Sequence, residues 1–390
     1  MLKKNKQIKI CSQGLWDTSV PDITFNDSGI SNYALLQSKL MALYPRGKKG
    51  LSDWNKIVYD AKKKGLNKQY DCIVGVSGGV DSSYLLYLLK EKYNLRILAV
   101  TLDNGWNSDI ALKNIKSMTD LLKIDLETYV IDYEEIKDLI RAYLYSGLPW
   151  VDTPTDTAIK SVMYKIALQE NIKYIFRGND FRTEGKQPRE WTYSDHRQIK
   201  YIHNKFGKIK KLNSYPFLPF WKIIYSGFFR RIKDIRPYYY IDYSKDEAKE
   251  LLEKKYDWKY YGGHHHENIF TKFVMGYWLP EKFNIDKRII NLSAQVLSGY
   301  INKKEALNLI KDPAINNEDK IKLVNYVIKK LDLTKEIFDG IFKSKNMSYK
   351  DYPNYEKLLK FILKYMSPFI SLVYKQKPMT FVEMDINKEK

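Results

Sequence analysis

Between residues 70 and 177 the apolar positions follow two rhythms that take turns. The run Cys72-Ile73-Val74-Gly75-Val76 predicts a buried strand, and Tyr84-Leu85-Leu86-Tyr87-Leu88-Leu89 predicts the apolar face of a helix over 81–92. The same reading gives a strand at 96–102, a helix at 109–122, a strand at 126–131, helices at 133–146 and 156–169, and a strand at 173–177. This order predicts an α/β fold, a parallel sheet with helices on both faces and ligands held beyond the carboxyl ends of the strands. Chemistry is therefore sought in the loops that follow strands: 77–83, Asp103-Asn104-Gly105 and Gly178-Asn179-Asp180.

The flanks read differently. Residues 1–65 carry turn clusters such as Asn26-Asp27-Ser28-Gly29 and a mixed amphipathic stretch at 51–64, a small appendage. After residue 205 the chain turns aromatic and basic, through Asn213–Trp221 and Ile223–Arg231. This favours a buried wall beside the sheet over a membrane-surface helix. From Ser244 the pattern is mostly helical to about residue 375, and Val382–Lys390 reads as a frayed tail. The expected division is 1–65, 66–243 and 244–390.

Composition narrows the function classes only modestly. The 390 residues, 44% hydrophobic, suffice for two or three domains. No stretch reaches the roughly 18 uncharged apolar residues of a membrane span, and no apolar region follows the basic start Met1-Leu2-Lys3-Lys4-Asn5-Lys6, so a cytoplasmic protein is expected. The net charge of +20 would attract phosphate-bearing partners, from nucleic acid to nucleotide sugars or anionic lipid. Because Lys and Asn run through the whole chain, it does not by itself predict a nucleic-acid surface.

The sharpest motif is Ser77-Gly78-Gly79-Val80-Asp81-Ser82-Ser83. A strand that ends in small residues and feeds a helix aims backbone N–H groups and the positive end of the helix dipole at one point, where phosphate binds. A Walker A loop would add a Lys, whereas this loop has none and sets Asp81 at the helix start. It resembles the PP-loop of the ATP pyrophosphatases, which grip the β- and γ-phosphates as departing pyrophosphate and leave the α-phosphorus open to attack. The resemblance implies that Ser77, Ser82 and Ser83 donate to phosphate, that Gly78 and Gly79 allow close approach, and that Asp81 orients Mg²⁺ while also serving as a helix cap. Asp103 and Gly178 are further nucleotide-side candidates.

Three more blocks are similar to one family, the N-acetyl sugar amidotransferases that install acetamidino groups on bacterial surface sugars. They are Gly178-Asn179-Asp180 with Glu184, Pro188, Trp191 and Asp195 running into 197–207; Tyr240–Lys245; and Tyr260–Glu267 followed by Phe270–Phe273, Leu279–Phe283 and Ile285–Arg288. With the loop they span roughly residues 70–310. The resemblance implies a Rossmann-like, HUP-type sheet with a PP-loop, ATP and Mg²⁺ as cofactors, and an N-acetyl sugar as substrate. Asp180 and Glu184 become candidates to bind Mg²⁺ or take a proton from incoming ammonia. Lys272, Lys287 and Arg288 become candidates to neutralise pyrophosphate or a substrate anion. Asn179, Trp191, His264, His266 and Glu267 are expected near the sugar; three adjacent histidine rings splay too far to share one metal ion.

The start of the chain departs from the family. Relatives resemble two C-x-x-C pairs around D-T-x-x-P-x-I-x-F, a zinc-like spacing. Here Asp17-Thr18, Pro21, Ile23 and Phe25 remain, but the four positions read Cys11, Gly14, Ser31 and Ala34, so no structural zinc is expected. Neither Cys11 nor Cys72 suits an activated glutaminase nucleophile, which implies ammonia from a separate glutamine amidotransferase subunit. The alternative is a tRNA-modifying PP-loop enzyme of the lysidine-synthetase kind, which charge and 32 tyrosines would suit but which leaves the 178–207 and 260–288 blocks without a role.

Overall fold

The computed structural model describes residues 8–263 and 266–373. Five parallel strands, β1 (Cys72–Gly75), β2 (Ile97–Asp103), β3 (Asp125–Val130), β4 (Tyr174–Phe176) and β5 (Lys233–Ile235), lie in the order β3-β2-β1-β4-β5. The order reverses between β1 and β4, so the crevice at their carboxyl ends is the expected ligand site. Two helices precede the sheet, α1 (Asn32–Leu43) and α2 (Gly47–Gly65). Four follow its strands, α3 (Val80–Tyr87), α4 (Asp109–Leu122), α5 (Tyr133–Tyr145) and α6 (Thr153–Gln169). Each strand and helix expected within 70–177 is present, with ends moved by a few residues; the end of the 81–92 helix winds as a π-helical turn over Leu88–Lys92.

The alternation of strand side chains divides the core. Cys72, Val74, Tyr174 and Phe176 face one layer with Trp54 of α2, whose ring meets Phe176 at 5.4 Å. Ile73, Leu98, Val100 and Ile175 face the other with Ile140 and Tyr143 of α5 and Met163 and Ile166 of α6. A sheet covered on both faces explains the unbroken apolar runs of β1 and β2. Strand β5 escapes the hydrophobic pattern because Lys233-Asp234-Ile235 is a short edge strand. Its Lys233 leans on the Asp60 carboxylate and the Tyr174 hydroxyl.

The appendage does not stand apart. Ser31 donates its N–H to Cys11 Sγ at 3.2 Å and caps α1 with its hydroxyl, so the degenerate cysteine positions are still gathered. Trp16 fills the space in front of Gly14, where an added Cβ would lie 2.7 Å from the ring. Packing around Cys11, Trp16, Val20 and Ala34 joins the same core layer as the sheet, and that layer continues to Phe273, Trp278, Val327 and Phe338 in the C-terminal helices. The core thus crosses both expected domain boundaries. The aromatic stretch after residue 205 splits: Tyr215 and Leu218 are buried as a wall, while Trp221 and Phe229, at the two ends of the helix Phe220–Phe228, are 62% and 76% exposed. The expected tail Val382–Lys390 lies outside the described residues.

One buried carboxylate pins the aromatic wall. Glu135 of α5 accepts from the Asn213 amide at 2.6 Å, the Ser214 amide and hydroxyl at 2.9 and 2.7 Å, and the Tyr215 amide at 3.1 Å. Tyr215 then donates to the Pro154 carbonyl in the first turn of α6. Burial alone would raise the Glu135 pKa, but these four donors outweigh it and hold the group below the usual glutamate value. Glu135→Gln is expected to lower stability by about 2–3 kcal/mol at neutral pH. Because the folded-state pKa is depressed, this contribution is present above the ordinary glutamate pKa and lost as pH falls through the depressed one. Denaturant melts of both proteins should therefore converge on acidification, and a gap that stays constant would contradict the assignment.

Candidate active site

The loop between β1 and α3 is shaped by close backbone contact. Gly78 has φ +77°, and a Cβ there would lie 2.3 Å from the Ala111 carbonyl oxygen of α4, so only glycine fits. Its own carbonyl accepts from Asn114 Nδ2 at 3.1 Å and Trp258 Nε1 at 3.0 Å. Asn114 also exchanges two hydrogen bonds of 2.8 Å with the Lys259 backbone. On the open side, the Ser77 N–H meets Ser82 Oγ at 3.2 Å, and the Ser77 and Ser82 hydroxyls are 3.3 Å apart. Ser83 is buried under the first turn of α3. Gly178, after β4, lets its loop press on the backbone of Asp81 and Ser82; a Cβ there would come within 2.9 Å.

The helix N-terminus already holds an oxygen. The Val80 N–H donates to the Tyr261 hydroxyl at 3.3 Å, and the space over Gly79 is bounded by that hydroxyl and Glu267 Oε1. Burial, reinforced by Glu267, raises the Tyr261 pKa and keeps the phenol protonated. Polar oxygens thus converge on the amides that an anion would occupy.

Asp81 extends from the first turn of α3 to the Tyr243 hydroxyl and to Lys245 Nζ at 3.2 Å, while its carbonyl accepts from Tyr238 at 2.7 Å. Tyr238 and Tyr243 stack with centroids 4.0 Å apart, which fixes both phenols. Burial would lower the Lys245 pKa, but Asp81 overrides it and keeps the ammonium charged. Lys245 is a cation at the loop that no sequence argument assigned, although it ends the Tyr240–Lys245 block; a helix start hid it among surface lysines.

The remaining candidates separate into cleft groups and structural groups. Asp103 turns back to the Gly105 amide at 2.9 Å in the loop after β2. Glu184 is half-buried and accepts from Asn179 Nδ2 at 3.1 and 3.3 Å. Lys287 lies over the Trp150 ring at 3.8 Å, and burial brings its pKa down to about 8 against the pull of Asp156, Glu184 and Asp152. Lys272 is half-buried in the helix Ile269–Phe273. Glu267 flanks the loop at Gly79, His266 lies against Gly263, and His264 lies outside the described residues.

Three candidates are placed where substrate contact is not their evident work. Asp180 is 1% exposed, caps the turn at Arg182 and pairs with Arg46 at 2.8 Å; burial pushes its pKa up to about 6. It knits the segment before α2 to the sheet. Arg288 forms a fork on Asp286 and donates to the carbonyls of Leu309, Ile310 and Asp312, a clamp between C-terminal segments. Trp191 is buried in the core at 4% exposure. Conversely, Asp152 was missed. It sits at the start of α6, 1% exposed, beside Asp156, Thr271 and Lys287, and nothing in Trp150-Val151-Asp152-Thr153-Pro154 distinguishes it from a helix cap. Among the described residues no group of three or more His, Cys, Asp or Glu gathers to hold a metal ion.

Residues 54–178 match the asparagine synthase family model, and residues 267–366 match the model of the C-terminal domain of WbpG-like LPS biosynthesis proteins. An uncharacterised protein of Methanocaldococcus jannaschii is 36% identical over 139 residues, 35% of this chain and 47% of that protein. The argininosuccinate synthase of Dictyoglomus thermophilum is 28% identical over 160 residues, 34% of this chain and 40% of that enzyme. The chain thus spans under half the length of the curated relatives it matches. Among solved structures, the NH₃-dependent NAD synthetase of Campylobacter jejuni aligns over 76% of this chain and 98% of its own, at 16% identity and a TM-score of 0.31. The asparagine synthase match falls on the loop domain and the WbpG-like match on the C-terminal helices, and the two together support the resemblance to the N-acetyl sugar amidotransferases.

Proposed function

We propose that this ATP-dependent amidotransferase converts the N-acetyl group of a bacterial surface sugar, nucleotide-linked or a free acid, into an acetamidino group. An amide carbonyl is a poor electrophile, so its oxygen first attacks the α-phosphorus of ATP, giving an O-adenylyl imidate and pyrophosphate. Ammonia then adds at carbon and AMP leaves. The observation that carries this reading is the loop itself: amides of α3 and the hydroxyls of Ser77 and Ser82 face one point beside the Asp81–Lys245 pair. Such preorganised donors stabilise charge developing on a departing pyrophosphate. Lys245 supplies the positive charge that a Walker lysine supplies elsewhere.

Mg²⁺ binds phosphate-rich sites through one or two carboxylates plus waters, and its charge would offset that of the phosphates. Asp81, partly exposed at the loop, fits that role, with Glu267 the next carboxylate beside Gly79. The substrate side of the crevice is assigned to Asn179, Glu184 and Lys287, which the Asn179–Glu184 hydrogen bonds and the pull of Glu184 on Lys287 link, together with Lys272 and His266. Supply of ammonia is assigned to a separate glutaminase because both thiols are buried, Cys11 as an acceptor for Ser31 and Cys72 with a pKa driven well up by burial. A thiol in that state is no nucleophile. The matched description of LPS biosynthesis fits a surface sugar as substrate, and no helix among the described residues is long and apolar enough to cross a membrane. The reaction is assigned to the cytoplasm, where ATP is available.

Incubation with ATP, Mg²⁺, ammonium and a panel of bacterial N-acetyl sugars should yield AMP and, by mass spectrometry, a product one mass unit lighter, as expected for exchange of O for NH. No such product with any sugar of the panel, alongside lysine- and tRNA-dependent AMP formation, would replace this reading with the tRNA one. Asp81→Asn should cut sugar-dependent AMP formation by roughly 10²–10³-fold while leaving the melting curve near that of the parent; an unchanged rate would remove Asp81 from the site. Glutamine should support turnover only when a glutaminase is added. Glutamine use by the chain alone would bring Cys11 or Cys72 back as a nucleophile.

A further inference from the structure

The amination half-reaction needs a nucleophile that is scarce at neutral pH, because ammonia is mostly ammonium. The wall of the crevice at the start of α6 holds a group suited to that problem. Asp152 is 1% exposed; its Oδ2 accepts from the Thr271 hydroxyl at 2.5 Å, the Thr155 hydroxyl beside it draws its pKa down, and its Oδ1 has no partner in hydrogen-bond geometry among the described residues. A buried carboxylate oxygen without a donor costs free energy unless a ligand supplies one. Asp156, next to it, accepts from Trp150 Nε1 at 2.7 Å, and the face of the same Trp150 ring carries Lys287. The anchor of this wall is the Asn104–Thr155 hydrogen bond of 3.1 Å, which ties the first turn of α6 to the loop after β2 at the carboxyl edge of the sheet. An electrostatic line runs from here to the loop: Lys287 feels Asp152, Asp156 and Glu184, and Glu184 in turn acts on Lys245 beside Asp81.

We infer that Asp152, with Thr271 and Asp156, forms the ammonium site of this enzyme, and that the Asp152 carboxylate takes the proton that turns ammonium into the attacking ammonia. The inference rests on the acetamidino reading for its reaction, though not for its ligand. The balance is as follows. Ammonium gives one proton to Asp152, and the freed lone pair forms the C–N bond to the imidate carbon. The bond from that carbon to the AMP oxygen breaks with its electron pair going to the phosphate. Of the three remaining hydrogens, two stay on the new nitrogen and one passes to the substrate nitrogen, so amidinium leaves; the proton on Asp152 returns to solvent. Burial and the neighbouring Asp156 push the Asp152 pKa up to about 7, which suits a group that must accept and release a proton near neutrality. An aliphatic wall would serve the sugar equally well and would leave ammonium without a partner.

Two measurements on the full chain test this. In the first, ammonium chloride should raise the melting temperature of the protein above the effect of equal sodium chloride, as a ligand of the folded state does. The difference should vanish in Asp152→Asn and shrink in Thr271→Val, a variant that keeps the carboxylate and covers the case in which Asp152→Asn does not fold. No ammonium-specific shift in the parent protein would overturn the site. In the second, with the sugar that is adenylated, Asp152→Asn should keep sugar-dependent exchange of pyrophosphate into ATP but lose ammonium-dependent amidine formation by roughly 10²–10⁴-fold. Hydroxylamine, unprotonated at neutral pH, should restore product formation as the amidoxime. Loss of exchange together with amination, or undiminished use of ammonium, would overturn the proton-accepting role. Absence of exchange in the parent protein with every sugar would instead defeat the acetamidino reading, and an ammonium-specific melting shift would still stand.

Discussion

Everything in the crevice depends on the Gly78 peptide. With no Cβ it lies against the Ala111 backbone, and its carbonyl is taken by both Asn114 and Trp258. The two donors come from different parts of the chain: Asn114 from α4 of the sheet domain, Trp258 from the segment that leads to Tyr261 and Glu267. The shape of the loop is therefore not a property of the β1–α3 turn alone. Asn114 pairs both ways with Lys259, so the turn, α4 and the 257–261 segment form one rigid unit, and the C-terminal region brings Tyr261 to the amides of α3 as a consequence. A flexible glycine loop would lose entropy on gripping phosphate, whereas this one is held from behind before any ligand arrives.

The same unit brings the second half of the chain onto the sheet's loops. The helix Lys245–Tyr256 begins with the lysine that meets Asp81, and the helix Ile269–Phe273 begins just after Glu267 and supplies the hydroxyl that holds Asp152. In each case a helix start from the C-terminal half faces a helix start from the sheet, α3 or α6. Positive helix ends and the lysines beside them would repel one another in an empty crevice. Asp81, Glu184, Glu267, Asp152 and Asp156 offset that charge.

How far this could be read from the residues follows from what kind of signal each carries. The strands and helices of 70–177 were legible because burial on both faces leaves unbroken apolar runs between amphipathic helices, and the loop 77–83 because glycine and serine after a strand have few other uses. Strand β5 was not, since three residues at an edge need no apolar pattern. Asp180 looked catalytic by its place after β4, yet the structure buries it against Arg46, a partner 134 residues away that no local pattern reveals. Arg288 likewise serves Asp286 and three carbonyls. Lys245 and Asp152 escaped for the opposite reason. Lysine and aspartate at helix starts are ordinary, and only the fold shows that one is turned on Asp81 and the other is shut away from water.

The two halves of the proposed reaction make opposite electrostatic demands. Adenylation needs positive field on departing pyrophosphate, while amination needs a site that attracts a cation and strips its proton. A single uniformly basic crevice, as the net charge of +20 would suggest, would serve the first and defeat the second. The two lysines differ by position. Lys245 stays charged because Asp81 is beside it, at the loop; Lys287 is brought down to about 8 because burial is only partly countered by the acids around it. Glu184 acts on both lysines, and Asp152 and Asp156 lie beside Lys287. On the proposed reading, cations at the loop and carboxylates at the start of α6 would let the two half-reactions share one bound intermediate without neutralising each other.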